Sequence, residues 1–145
     1  MNYVNTFICV AKDTRTTTGK EPPERDGSPS VARLQYELLT SKPYKLTQEE
    51  ILFEVHVQRL DLNAGDVKKR RKELWSEFFS KSQACLRASP LPKTYGWGIH
   101  FDDRGRAALH PVDSPEYRRL ASDRSAKLQV VYAMSSTRQP ASPRK

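Results

Sequence analysis

Apolar residues recur along this chain with two spacings, every second position in some stretches and every third or fourth in others, and the alternation between them outlines the elements. In YVNTFICVA, Phe7 and Cys9 fall on one side of an extended chain and Val4, Ile8 and Val10 on the other, the pattern of an interior strand. SVARLQYELLTS follows Ser30 as a cap and sets Val31, Leu34, Leu38 and Leu39 on one helical stripe. Thr47 and Glu50 have the spacing of a capping box. The next residues nevertheless alternate, with Ile51, Phe53, Val55 and Val57 on one side and Leu52, Glu54, His56 and Gln58 on the other, and the alternation predicts a strand with a polar face over 51–59. After NAGD a helix carries Val67, Leu74, Trp75 and Phe78 on one side and runs to about Ser82. TYGWGIHF and RAALHPV read as a hairpin, SPEYRRLA as a short helix with Ser114 as cap and Pro115 at its first position, and KLQVVYAM as a last strand.

The predicted order is β-α-β-α-β-β-α-β. It corresponds to an α+β fold in which a mixed or mainly antiparallel sheet of about five strands has its helices packed on one face. Residues 12–30, KDTRTTTGKEPPERDGSPS, mix charge with Pro, Gly, Ser and Thr without any hydrophobic period and read as a long irregular loop. Residues 135–145 share that composition and read as a disordered basic tail after one domain spanning 1–134.

The hairpin register follows from its turn. In DDRG, Asp102 and Gly105 have the positions of a type I turn closed by a left-handed glycine. That turn pairs His100 with Ala108 and Gly98 with His110, placing Trp97, Ile99, Phe101, Ala107 and Leu109 on one apolar face. A slip of one residue would set those side chains against Arg106 and His110, so the pattern selects the first register. His100 and His110 then share the opposite face beside Gly96 and Gly98, an expected open shelf.

Composition narrows the function classes. The chain has 145 residues, with 25 Lys and Arg against 17 Asp and Glu and a formal charge of +8, which favours anionic partners. Two cysteines, Cys9 and Cys85, make neither a disulfide framework nor a metal quartet and suit a reducing compartment. No run approaches the ~18 apolar residues of a membrane span, and MNYVNTFICVAKD has no basic stretch ahead of its apolar one. The expectation is a soluble cytoplasmic protein with no membrane contact and no cofactor.

FFSKSQACLRASPLPKTYGWGIHFDDRGRAAL, together with NYVNTF, LQYELL, PYKLTQEEILFEV and SPEYRRLA in the same order, resembles a family of small proteins known as domain of unknown function 6157. The resemblance covers roughly residues 2–121, and its tandem FFSK, CLRASPL and YGWGIH segments are long and unusual. It implies no reaction, ligand or catalytic residue, so functional candidates rest on the residues themselves.

Cys85 is a candidate nucleophile, with Lys81 and Arg87 as nearby cations and His100 as base. In RASPLPKT, Pro90 and Pro92 stiffen a connection bearing Arg87, Ser89, Lys93 and Thr94, a set suited to a carboxylate or phosphate. Glu54 is a candidate neighbour from the strand over 51–59. His56, His100 and His110 would offer a three-histidine metal site only if their strands adjoined, without any fixed-spacing metal motif. The basic run Lys68–Lys72 encircles its helix at ~100° per residue and reads first as a solvated face, with nucleic acid a less favoured partner. The reading preferred over the others is a domain binding a small anionic ligand near residues 81–100. A cysteine- or metal-dependent enzyme and a protein or nucleic-acid interaction module are the alternatives.

Overall fold

Strand β1 (Thr6–Cys9) is buried at every position, because it lies inside a sheet covered on both faces. The computed structural model describes residues 2–24, 27, 29–60 and 62–135; of the tail expected to be disordered, residues 136–145 lie outside them. The chain continues through α1 (Val31–Ser41), α2 (Gln48–Arg59) and α3 (Ala64–Phe79), then β2 (Trp97–Phe101), β3 (Ala107–Pro111), α4 (Pro115–Ala121) and β4 (Gln129–Tyr132). A 3₁₀ turn (Leu86–Ala88) and a π-helical turn (Leu91–Tyr95) connect α3 to β2. The sheet is mixed and four-stranded in the order β3-β2-β1-β4, with β4 parallel to β1 and the other pairs antiparallel.

The fold is α+β, but two details of the expected layout are corrected. Residues 51–59 are helix, so the sheet has four strands among the described residues rather than about five, and three helices follow β1 in succession. The capping box decides the start of α2: Thr47 Oγ1 accepts from Glu50 N at 3.3 Å while Glu50 Oε1 accepts from Thr47 N at 2.9 Å. Alternation misleads here because two helical positions subtend about 200°, which sends alternate residues to opposite sides of a helix. Ile51 packs with Ile8, Ile99 and Phe101 of the sheet, and Val55 packs with Leu34 and Leu38 of α1. Phe53 and Val57 turn away from these toward Leu74 of α3. An α2 clasped on two sides thus reproduces the pattern of a half-buried strand.

The second correction concerns the layers. Helices α1 and α2 cover the sheet face bearing Ile8, Ile99 and Phe101, whereas Tyr117 and Leu120 of α4 cover Phe7 and Cys9 on the other. Adjacent strand residues point to opposite faces, so a doubly apolar β1 requires cover on both sides. Ser114 caps α4 by accepting from Tyr117 N at 3.1 Å, with Pro115 in the first turn.

Residues 12–24 form neither helix nor strand, yet they are tied to the hairpin. Lys20 N donates to Tyr95 O at 2.8 Å, and Trp97 Nε1 donates to Lys20 O at 2.8 Å. Gly96, at φ 83°, lies under this strap, where an added Cβ would stand 2.2 Å from Thr18 O. Only glycine meets both conditions at once.

Candidate functional site

The hairpin has the expected register: His100 pairs with Ala108, Gly98 with His110 and Phe101 with Ala107, around a turn in which Gly105 adopts φ 77°. Trp97, Ile99, Phe101, Ala107 and Leu109 accordingly face the α1/α2 layer. His100 and His110 share the other face, but the expected open shelf is filled. Phe7 and Tyr117 occupy it so closely that a Cβ on Gly98 would meet their ring carbons at 2.5 and 2.7 Å.

Between the two histidines lies Tyr44, whose hydroxyl is 2.8 Å from His100 Nδ1 and 2.9 Å from His110 Nε2. Tyr44 precedes α2 along the outer edge of β3, where its N–H donates to Ala107 O at 2.9 Å. Its backbone is left-handed at φ 57°, a sparsely populated conformation for a residue with a Cβ. Burial lowers both histidine pKa values, that of His100 further through His110 and that of both through Arg119, against the opposing pull of Asp102 on His100 and Glu116 on His110. The phenol's own pKa is raised, chiefly by burial.

His100 therefore cannot serve Cys85. Tyr3 Oη donates to Cys85 Sγ at 3.3 Å, and the Tyr3 ring packs 5.3 Å from Phe101, on the sheet face opposite His100. Burial, and then the hydrogen bond to Cys85, push the Tyr3 pKa up to about 12, so the phenol keeps its proton and remains the donor at neutral pH. Nor do the three histidines converge. His56 sits on α2, stacked on Phe78 with ring centroids 4.4 Å apart, and no group of three or more His, Cys, Asp or Glu with metal-binding proximity occurs among the described residues.

Cys85 instead forms part of the wall of a cleft of about 370 Å³ between α1, α2 and residues 83–90. This is within the range of small-molecule sites, roughly 300–1,000 Å³. Leu52, Val55, His56 and Arg59, spaced as one face of α2, line it together with Gln35 and Val31 of α1. Ser89 is only 4% exposed; its hydroxyl donates to Gln35 Oε1 at 2.5 Å and accepts from Leu91 N at 3.1 Å. Gln35 is 3% exposed, and its Nε2 has no acceptor among the described residues. Among the described residues, no Asp or Glu lines the cleft and Arg59 has no ion-pair partner. Val31 brings the first turn of α1, the positive end of its dipole, to the same space.

Of the residues expected to form one anion site, only Cys85 and Ser89 line this cleft. Arg87 Nε donates to Tyr132 O at 2.8 Å and its carbonyl accepts from Met134 N at 2.9 Å, fastening the end of β4. Glu54 pairs with Arg71 of α3. Lys93 lies in the π-helical turn, Thr94 is exposed with its carbonyl accepting from Thr16 Oγ1 at 2.6 Å, and exposed Lys81 lines a neighbouring hollow with His56 and Gln83. The helical conformation of 51–59 separates Glu54 from His56 and brings Arg59 to the cleft instead.

A family model described as "Family of unknown function (DUF6157)" matches residues 1–139. The chain belongs to this family. No curated protein and no solved structure matches it. The motif segments that carry the DUF6157 resemblance contribute to both regions described above, with SQACLRASP along the cleft and YGWGIH in the hairpin.

Gln35, Arg59 and Tyr44 were not singled out in the sequence. Gln35 left a trace, since a polar residue between Leu34 and Leu38 on a buried stripe must find a partner for its amide. Arg59 would have appeared on a helical reading of 51–59. Tyr44 had no local signal, because its role depends on a strand edge more than 50 residues downstream.

Proposed function

We propose that the protein binds a small organic carboxylate with an apolar body in the cleft between α1, α2 and residues 83–90. The observation behind this reading is Gln35. Its amide is buried, anchored at Oε1 by Ser89, and without an acceptor for Nε2 among the described residues. A buried donor without a partner costs about 1–3 kcal/mol, which a ligand oxygen would relieve. Arg59 supplies the charge, Cys85 a polarizable wall, and Leu52, Val55 and Phe78 the apolar surface. The anion-binding role expected of Arg87 and Lys93 passes to Arg59 and the Gln35 amide.

Thermal-shift and calorimetric titration with a panel of aliphatic and aromatic carboxylates, and with inorganic phosphate, tests the reading. Carboxylates are expected to stabilise the protein, and Arg59→Ala, on an exposed position, to weaken binding at least tenfold. If no carboxylate binds, or Arg59→Ala binds as the unaltered protein does, the reading fails.

A cysteine-dependent enzyme is the second reading, favoured by one observation: Cys85 and His56 line the same cleft. His56→Gln would then slow alkylation of Cys85 at neutral pH and shift its pH profile, whereas a binding-only cleft would leave both unchanged.

A further inference from the structure

We infer that the outer face of α3 is a docking surface for the phosphate backbone of a single-stranded nucleic acid. At ~100° per residue, Lys68, Lys69, Arg71 and Lys72 fall within an arc of about 160°, together with Trp75 and Ser76. These six residues line one shallow groove, and none of them is acidic. The fifth cation of the run, Arg70, points to the other side, where it pairs with Glu73 at 2.6 Å. Asp66, Glu73 and Glu77 share that opposite arc, so α3 separates its charges instead of interleaving them.

The separation opposes helix stability. Lys68 with Lys72 is a like-charge pair four residues apart, and Lys68 with Arg71 and Lys69 with Lys72 are pairs three apart, all repulsive on a helix. Among the described residues Arg71 alone of the four is neutralised, by Glu54, and it is further fixed 5.0 Å over the Phe53 ring. Lys68, Lys69 and Lys72 are exposed and have no ion pair among the described residues. An anionic partner removes the repulsion that the fold leaves uncompensated.

Trp75 selects the kind of partner. Its partly buried ring is held against Phe53 and Phe79 at centroid distances of 4.9 and 4.6 Å, a rigid aromatic surface set among cations. Single-stranded nucleic acids are recognised by that combination, phosphates on Lys and Arg and bases on aromatic faces. Insertion of α3 into a lipid surface would require its apolar side, and Leu74, Phe78 and Val67 turn that side onto α2.

The test is fluorescence anisotropy of the full chain with a labelled mixed-sequence single-stranded 12-mer between 50 and 300 mM salt, alongside Lys68→Gln/Lys69→Gln/Lys72→Gln. With three to four phosphate contacts the slope of log affinity against log salt is expected to be about −2 to −3, at roughly −0.7 per contact. The triple variant should bind at least tenfold more weakly with a slope nearer zero. Arg124→Gln/Lys127→Gln, and neutralisation of Arg138, Arg144 and Lys145, should each change affinity less than threefold. Absence of oligonucleotide binding at 50 mM salt, an unchanged triple variant, an equal loss in either control, or tighter lysine-dependent binding to phosphatidylserine vesicles than to the 12-mer overturns the inference.

Discussion

The Tyr44 hydroxyl lies 2.8 Å from His100 Nδ1, across 56 positions of sequence, and the same oxygen is 2.9 Å from His110 Nε2. A phenol has one proton, so it donates to one imidazole and accepts from the other, and the two histidine tautomers are coupled through it. One added proton leaves this chain of bonds intact by charging the histidine that already donates. A second places N–H groups on both sides of the phenol oxygen and strands its own proton, with two imidazolium rings at a centroid separation of 6.2 Å.

Replacing Tyr44 by Phe should therefore cost about 1–3 kcal/mol, since two hydrogen bonds are lost and two half-buried imidazoles are left without their shared partner. Urea unfolding measures the loss. In ¹⁵N spectra the two histidines of the variant should no longer show fixed complementary tautomers; a variant with unchanged stability and unchanged tautomers would mean that the phenol is incidental.

Stability should fall on acidification below about pH 6.5. Burial lowers the folded-state pKa of His100 and His110, so between the folded and unfolded pKa values the unfolded chain binds more protons. The stabilisation is complete above the unfolded value of about 6.5 and is lost as pH drops through the folded values. Denaturant titrations from pH 8 to 5 should show this slope, and the double variant His100→Gln/His110→Gln should flatten it. A slope that persists in the double variant assigns the effect to other groups.

Gly98→Ala should destabilise by about 1–3 kcal/mol through overpacking. The added methyl would meet Phe7 and Tyr117 at 2.5 and 2.7 Å, ring carbons in the interior that cannot swing away freely. A neutral effect in thermal unfolding would show that Phe7 and Tyr117 yield to the added methyl.

Under native conditions iodoacetamide should modify Cys85 and spare Cys9, which is 2% exposed beneath α4. Intact-mass and peptide mapping report the ratio. Carboxylate ligands should slow the reaction at Cys85, which shares their cleft; an unchanged rate at Cys85 with ligand bound would place the ligand outside this cleft.

Elements whose cause is local were legible from the chain alone. The Asp102–Gly105 turn, with Asp102 Oδ1 accepting from Arg104 N and Arg106 N at 2.9 Å each, sets the hairpin register without help from the rest of the fold. The Ser30, Thr47 and Ser114 caps likewise act within three residues of themselves. The candidate site was half legible: Cys85 and Ser89 were found, because the proline-bounded segment holding them is unusual by composition. Their partners Gln35 and Arg59 come from α1 and α2, and no spacing in the sequence relates them.

An α+β chain with a central doubly apolar strand, a registered hairpin with both histidines on one face, capped helices and a run of cations on α3 follow from the order of residues alone. Tertiary structure decided the conformation of 51–59, because alternation at two residues is compatible with one face of a strand or two faces of a helix, and only the positions of α1 and α3 distinguish them. It also decided which reactive side chains meet. Cys85 and His100 are 15 positions apart in sequence, yet the sheet lies between them, and a sheet transmits no side chain from one face to the other.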